Sequence, residues 1–588
     1  MNAAVWRQRF VLAAVAFVPL WWTAPGKVSA DTKSYLTIEP GRLLAKAPWM
    51  WDRSIGLGTV SHQTIGYLFP LGPYYWAMDR LGTPDWLAQR LWLGLVFFAA
   101  GCGVIHLVRL WGWSGPGVLV AALAYQLSPY VLDYAARISV ILLPWAALGW
   151  LLSFTIRAVR DGGWRWPAAF ALVVTVVGGV NATALVLAGI APLVWIVHAL
   201  ATRAVTRRAA IGASARIGVL TATISAWWLA GLAVQGRYGI PILRYTETYE
   251  AVARTSTAPE VLRGLGYWFF YGQDKVSAWV TPARPYTQQL WLVVLSYAVP
   301  AAALVALAAT RWRQRGFVAA LVVVGVVASV GSHPFAHPSP YGSLFKRLSH
   351  TTAGNALRST PRAVPLVVLD LALAFGAGVA ALAARWPRRR GALSIGACAL
   401  VAANLPSLWT GSLLTAAIER PEHLPAYWTQ AAAAIDGGDH QRRVLETPGA
   451  DFANYRWGGT VDPITPGLID RPYVARELVP YGSAAGADLL NAFERRLQDR
   501  IDEPAATAPL MRLLSVGTVV ARNDLQYERY RLARPRTMAD ALAAADGLSP
   551  SQRFGAPVPN VPIARLPLVD AEELTTPADV IDPAPVTS

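Results

Sequence analysis

The sequence predicts an α-helical polytopic membrane protein with a soluble α/β appendix, on three observations. First, 15% of the 588 residues are charged and 54% are hydrophobic, whereas soluble domains average about a quarter charged. Second, long apolar runs recur through the first 410 residues or so. Third, charge divides the chain: 35 basic and 12 acidic residues up to Gly411, then 17 basic and 23 acidic. The net +17 invites nucleic acid as a partner. The basic residues, however, are mostly arginines in short groups between apolar runs, which is how a membrane protein distributes them. The lipid bilayer is therefore the expected partner, and nucleic acid is excluded.

A spanning helix needs roughly 20 apolar residues, because no water in the bilayer core can satisfy its backbone. Runs of this kind lie near Phe10–Trp22, Ala88–Val108, Pro116–Leu127, Ile138–Ile156, Pro167–Val177 and Ala182–Leu200. Others follow near Ile217–Val234, Leu290–Ala309, Phe317–Val330, Val364–Ala384 and Ala392–Leu408, so about 11 spans are expected. Arginine sets the orientation. Arg7 and Arg9 precede the first run, and further groups follow at Arg109, Arg157–Arg165, Arg203–Arg208, Arg311–Arg315 and Arg385–Arg390. Every second connection is short and basic, hence cytoplasmic. The expected product is a multi-pass plasma-membrane protein with its C-terminal domain outside, in the periplasm. The membrane domain is expected over 1–412, with long outer loops at 31–87, 235–289 and 331–363. One rival reading takes Arg7 to Ala30 as a cleavable signal peptide, so that the mature chain begins at Asp31.

Residues 413–548 are expected to form an α/β domain, with a helix over Ala487–Arg500 and a buried strand over Leu514–Ala521. Residues 549–588, rich in Pro, Ala and Asp, are expected to be a linker or disordered end.

No P-loop, GxGxxG, HExxH, GxSxG or paired CxxC stands in a suitable context. Cys102 and Cys398 lie in separate apolar runs and form no disulfide framework, and the scattered histidines make no ligand set. No metal or other cofactor is assigned. Asp31 follows the first run so closely that it is held at the bilayer surface, where a lipid-linked substrate presents its reactive bond. The alternative is an ordinary loop aspartate. Outer-loop cations are the second signal, because they run against the arginine bias: Arg237, Lys275, Arg358 and Arg362 together offer a cradle for a phosphate. Taken singly, each equally suits a contact with a lipid headgroup. Glu39, Asp52, Glu247 and Glu250 are reserve acids, and Glu247, Glu250 and His62 are the candidates for holding an acceptor.

The segments Asp31-Thr32-Lys33, Gln63, Gly66-Tyr67-Leu68-Phe69-Pro70 and Arg90-Leu91-Trp92 resemble the start of mycobacterial α-(1→3)-arabinofuranosyltransferases. Gly179-Val180-Asn181-Ala182, Trp227-Trp228 and Gly236-Arg237-Tyr238 are similar to later parts of that family's membrane domain. Tyr455-Arg456-Trp457-Gly458 and Val519-Val520-Ala521-Arg522-Asn523-Asp524-Leu525 resemble its first periplasmic region. The resemblance implies a GT-C glycosyltransferase bundle, decaprenyl-phosphoryl arabinose as donor and cell-wall arabinan as acceptor. It also places Asp31 where that fold class keeps its catalytic carboxylate. Members of the family are much longer, with carbohydrate-binding modules beyond the point where this chain ends. The expected reaction is an inverting transfer with Asp31 as general base. The alternatives are a transferase using another polyprenyl-phosphate sugar such as mannose, or a non-catalytic translocase or scaffold for lipid-linked sugars. Intramembrane charge is the mark of a translocase, and Asp370 is the one acid well inside an apolar run.

Overall fold

The computed structural model describes residues 3–46, 49–60, 68–478, 482–557 and 586–588. The chain is a polytopic, largely helical membrane protein with a C-terminal mixed-sheet domain. Among the described residues, seven helical segments are long and apolar enough to span: Ala3–Trp22, Asp85–Leu110, Ser139–Asp161, Ala182–Ala201, Arg207–Tyr238, Leu290–Ala309 and Thr360–Arg385. This corrects the expected 11. The other four apolar runs are helices of 11 (Pro116–Gln126), 13 (Arg165–Val177), 16 (Arg315–Val330) and 14 residues (Arg390–Ala403). At about 1.5 Å per residue they are shorter than the hydrocarbon thickness, yet the bond from Ser139 to Asp31 requires Pro116–Gln126 and the turn after it to bring the chain back to the outer side. Composition marks a run as apolar, but the breakers inside it set its length: Ser128-Pro129 follows one of these helices and Gly178-Gly179 another.

We name the helices used below α1 (Ala3–Phe17), α2 (Asp85–Leu110), α3 (Pro116–Gln126), α4 (Leu142–Asp161) and α5 (Val364–Arg385). The interior of the bundle is α2, α3, α4 and α5, which glycines let approach closely. A Cβ on Gly117 of α3 would stand 2.5 Å from the carbonyl oxygen of Gly376 in α5. One on Gly149 of α4 would stand 2.6 Å from the backbone of Gly103 in α2. Small residues at such crossings are how helices associate where lipid supplies no hydrophobic drive.

The first strand, β1 (Lys27–Ser29), pairs antiparallel with β2 (Glu419–Pro421), joining the outer end of the first span to the start of the C-terminal domain. That pairing puts the domain on the outer face, as the arginines require. The domain holds β3 (Arg443–Thr447), β4 (Tyr473–Ala475), α6 (Ala484–Gln498), β5 (Val516–Arg522), β6 (Arg553–Phe554) and β7 (Val586–Thr587). Its described sheet runs β6-β7-β5-β3-β4, with β3 parallel to both β5 and β4 and the remaining pairs antiparallel. β6 and β7, at one edge of the sheet, come from the segment expected to be linker; residues 558–585, between them, lie outside the described residues.

Candidate active site

The loop after the first span is tied down on both sides. The Ser29 backbone N–H donates to Gln89 Oε1 (2.9 Å), and its hydroxyl donates to the Ala136 carbonyl (2.6 Å). Arg90, buried in α2, donates to the carbonyls of Thr23 (3.0 Å) and Lys27 (2.9 Å). Thr32 has φ +64°, a left-handed conformation that a β-branched residue rarely adopts. The turn lets its N–H reach the Arg137 carbonyl at 2.8 Å. Lys33 forms a largely buried ion pair with Asp462 of the C-terminal domain, at 2.9 Å.

Between these anchors Asp31 is 9% exposed. One carboxylate oxygen accepts from the Ser139 backbone N–H (2.8 Å), the other from the Ser139 hydroxyl. Trp92 Nε1–H donates to that hydroxyl at 3.0 Å, which turns the Ser139 proton toward Asp31. Ser139 opens the helical turn leading into α4, so the carboxylate also faces the positive end of a helix. Burial raises the Asp31 pKa, and the two Ser139 bonds and the Arg90 charge hold it back, leaving it at about 6. Burial wins, but only in part. The acid is ionised near neutral pH yet basic enough to take a proton, and each oxygen keeps a free lone pair for a substrate hydroxyl.

A cluster of aromatic rings and arginines extends from this loop. The Arg137 guanidinium lies 4.6 Å over the Phe269 ring and 5.4 Å over that of Phe452, with Tyr267 nearby. Tyr267 packs on Tyr134 (4.8 Å between centroids), and Tyr134 on Tyr130 (5.4 Å). Arg362 sits among these three tyrosines and Glu247. Among the described residues its one side-chain hydrogen bond is long, 3.4 Å to Asn181 Oδ1, and its Nε has none. Arg358 is differently employed. It donates to the Glu247 carbonyl (2.8 Å), to Thr246 Oγ1 (2.6 Å) and to the Asn355 carbonyl (3.1 Å), and pairs with the Glu247 carboxylate at 3.4 Å. Ser359 Oγ donates to that same carboxylate at 2.6 Å.

The expected site residues therefore divide. Arg358, Arg362 and Glu247 come together. Arg237 is exposed and stands over its neighbour Tyr238, and Lys275 is exposed as well. Glu250 is exposed and pairs with Arg254 at 2.8 Å. His62 lies outside the described residues. Sequence reasoning missed Ser139, Asn181 and the three tyrosines. It also missed Arg137, which carried the same signal as Arg358 and Arg362: a cation between two apolar runs, on the outer side. A further buried acid, Asp133, lies near Tyr130 and Tyr134, with neither oxygen partnered among the described residues. A hollow of about 500 Å³ between the first outer loop and the C-terminal domain is walled by the exposed indoles of Trp49 and Trp51 and by the Arg42–Asp470 pair.

Residues 12–584 match the family described as alpha-(1->3)-arabinofuranosyltransferase, N-terminal GT-C domain. Similar curated proteins include the alpha-(1->3)-arabinofuranosyltransferase of Mycobacterium tuberculosis, 30% identical over an alignment of 627 residues, covering 97% of this chain and 42% of the relative. Its counterpart in Mycolicibacterium smegmatis is 30% identical over 567 residues, covering 93% of this chain and 39% of the relative. A cryo-EM structure of the arabinofuranosyltransferase AftD from Mycobacteria superposes with a TM-score of 0.76 at 26% identity, covering 95% of this chain and 38% of that one. The chain thus spans about two fifths of the length of these relatives.

Proposed function

The chain belongs to the alpha-(1->3)-arabinofuranosyltransferase family through its N-terminal GT-C domain, and from that premise we propose that it transfers arabinofuranose from decaprenyl-phosphoryl arabinose to cell-wall arabinan on the outer face of the plasma membrane. Asp31 is the general base. It takes the proton of an acceptor hydroxyl as that oxygen attacks the anomeric carbon; the bond from carbon to phosphate oxygen breaks, its electron pair stays on the phosphate, and the anomeric centre inverts. Arg362, short of partners among the described residues, faces the charge that develops on the leaving phosphate. Arg358 holds Glu247 in place beside it, and Glu247 orients the acceptor.

The observation that carries this reading is the Asp31 carboxylate: buried, bonded on both oxygens by Ser139, with its pKa at about 6, just past the strand β1 that follows the first span. The test is to incubate the purified chain with radiolabelled decaprenyl-phosphoryl arabinose and a synthetic arabinan acceptor, with polyprenyl-phosphoryl mannose in a parallel arm. Asp31→Asn should retain donor binding and lose roughly a hundred- to ten-thousand-fold in turnover, the contribution of a positioned base. Wild-type turnover in that variant would pass the role to Asp133.

One observation favours a second reading. Asp370, fully buried within α5, has neither carboxylate oxygen partnered among the described residues, as in proteins that move charge or substrate across a bilayer. A lipid-linked sugar translocase would need Asp370 and not Asp31, so flipping assays on Asp370→Asn separate the two.

A further inference from the structure

The C-terminal domain contains a second hollow, which the transfer step above does not use: a polar cleft of about 650 Å³ at the carboxyl ends of the parallel strands. Gly449 and Asp451 follow β3 there and Arg476 follows β4, while Asn491 and Glu494 of α6 form one wall and the segment from Tyr530 to Ala533, beyond β5, the other. Open sheets bind ligands at this edge, where strands end and loops diverge.

The cleft is held open by bonds among its own walls. Arg476 pairs with Asp451 at 2.5 Å and donates to Asn491 Oδ1 at 3.1 Å. Gln498 spans the floor, donating to the Gly449 carbonyl (3.0 Å) and accepting from the Ala533 N–H (3.3 Å). Glu494 is 2% exposed; one of its oxygens accepts from the Gly449 N–H (2.7 Å) and from Gln498 (3.1 Å), and the other has no partner among the described residues. A glycine is required at 449, because a Cβ there would stand 2.6 Å from Arg476 Cβ and 2.9 Å from the Glu494 side chain.

The charges on the lining balance: Arg476, Arg495 and Arg531 against Asp451, Glu494 and Asp499. A balanced site has no net attraction for a phosphate or a polycation. It offers guanidinium, carboxylate and amide groups in alternation, which suits a ligand rich in hydroxyls that both donate and accept. The cleft also leads toward Asp31. The Tyr530 ring packs on Phe452 (5.6 Å), the Arg137 guanidinium stands over Phe452 (5.4 Å), and the Arg137 carbonyl holds Thr32 (2.8 Å).

We propose that this cleft is a subsite for a neutral polysaccharide acceptor, binding the chain some residues away from its reacting end. The choice of an arabinan as that acceptor rests on the function proposed above. Remote binding of this kind positions the reacting hydroxyl without touching it.

The experiment uses the full chain in nanodiscs, titrated calorimetrically with a synthetic linear arabinofuranosyl hexasaccharide. Saturable binding is expected, weakened about tenfold or more by Asn491→Leu and by Arg476→Met. Arg531→Ala, at an exposed position, is a third variant with little bearing on the fold. In the transfer assay these variants should raise KM for the hexasaccharide and leave KM for a disaccharide acceptor and kcat unchanged. Wild-type affinity in all three overturns the proposal. So does displacement of the hexasaccharide by inorganic phosphate, or loss of binding on Trp51→Ala alone, which would move the acceptor to the hollow beside the first outer loop. If the chain transfers no arabinose yet the cleft variants lose hexasaccharide binding, the subsite stands and the transferase reading fails.

Discussion

Replacing Ser139 by alanine deletes one of the two hydrogen bonds that keep the Asp31 carboxylate ionised and leaves the other, from the backbone N–H at 2.8 Å, in place. A hydrogen bond to a charged group contributes roughly 1.5–3 kcal/mol. One pKa unit corresponds to about 1.4 kcal/mol, so the loss should move Asp31 upward by roughly one to two units from its value of about 6. The sign matters. A base works when deprotonated, so wild-type kcat/KM should fall tenfold per pH unit below about 6 and flatten above it. In Ser139→Ala the same limb should lie near pH ~7–8, costing roughly two- to tenfold at pH 7 and little at pH 9. The substitution also leaves Trp92 Nε1–H without its 3.0 Å acceptor, so a modest fall in Tm is expected. A pH profile of kcat/KM, measured at acceptor concentrations well below KM, checks the reasoning. An equal loss at every pH would mean that Ser139 only supports the fold; an unmoved acid limb would mean that Asp31 is not the titrating base.

Arg362→Gln should weaken donor binding or slow the chemical step by about 2–5 kcal/mol, the cost of removing a cation from a partly buried phosphate contact. Arg237→Ala and Lys275→Ala, at exposed positions, should change donor affinity less than tenfold; donor titrations on all three decide it. Lys33→Met breaks a largely buried ion pair with Asp462 and should destabilise the docking of the C-terminal domain by roughly 3–5 kcal/mol. Limited proteolysis should then cut between the two domains, and a protease-resistant variant would show that the pair contributes nothing. Reporter fusions that work only outside the cytoplasm should be active after Thr410 and silent after Arg315; the reverse pattern would invert the topology.

The orientation and the division into membrane and soluble parts were legible because both follow from local composition: arginine groups on one side, most of the acids on the other. Helix lengths were less so. The apolar run at Pro116 continues past Gln126, but the helix ends there because Ser128-Pro129 turns the chain. Asp31 was legible as a candidate because its position, a few residues past an apolar run, singles it out. Ser139 was not, because it gains a role only through a contact across 108 residues, for which no spacing in the sequence is a sign. Arg358 shows the converse. Its charge marked it as a phosphate ligand, yet Glu247, 111 residues away, takes up much of its bonding capacity. Arg362, four residues on, has the weaker set of partners and is the better candidate for that reason.

The C-terminal domain is a structural part of the site and not merely a passenger on the bundle. β2 pairs with β1 immediately before Asp31, and the Ile418 carbonyl accepts from the Ala30 N–H at 2.7 Å. Asp462 neutralises Lys33 two residues after the acid. From the bundle side, Ser139 and Arg90 set the charge state of the same carboxylate. A loop fixed by one partner alone would have to order some six residues from Ala30 to Tyr35, at a cost of about 1–2 kcal/mol each. Fixed by both, it holds Thr32 in a left-handed conformation that costs roughly 1–3 kcal/mol. The strain is tolerated because strand pairing on one side and the Arg137 carbonyl on the other leave the chain no alternative path. The loop that carries Asp31, the proposed base, is thus held by two domains, and a bundle expressed without residues 413–588 should lose the ordered loop even with every membrane helix intact.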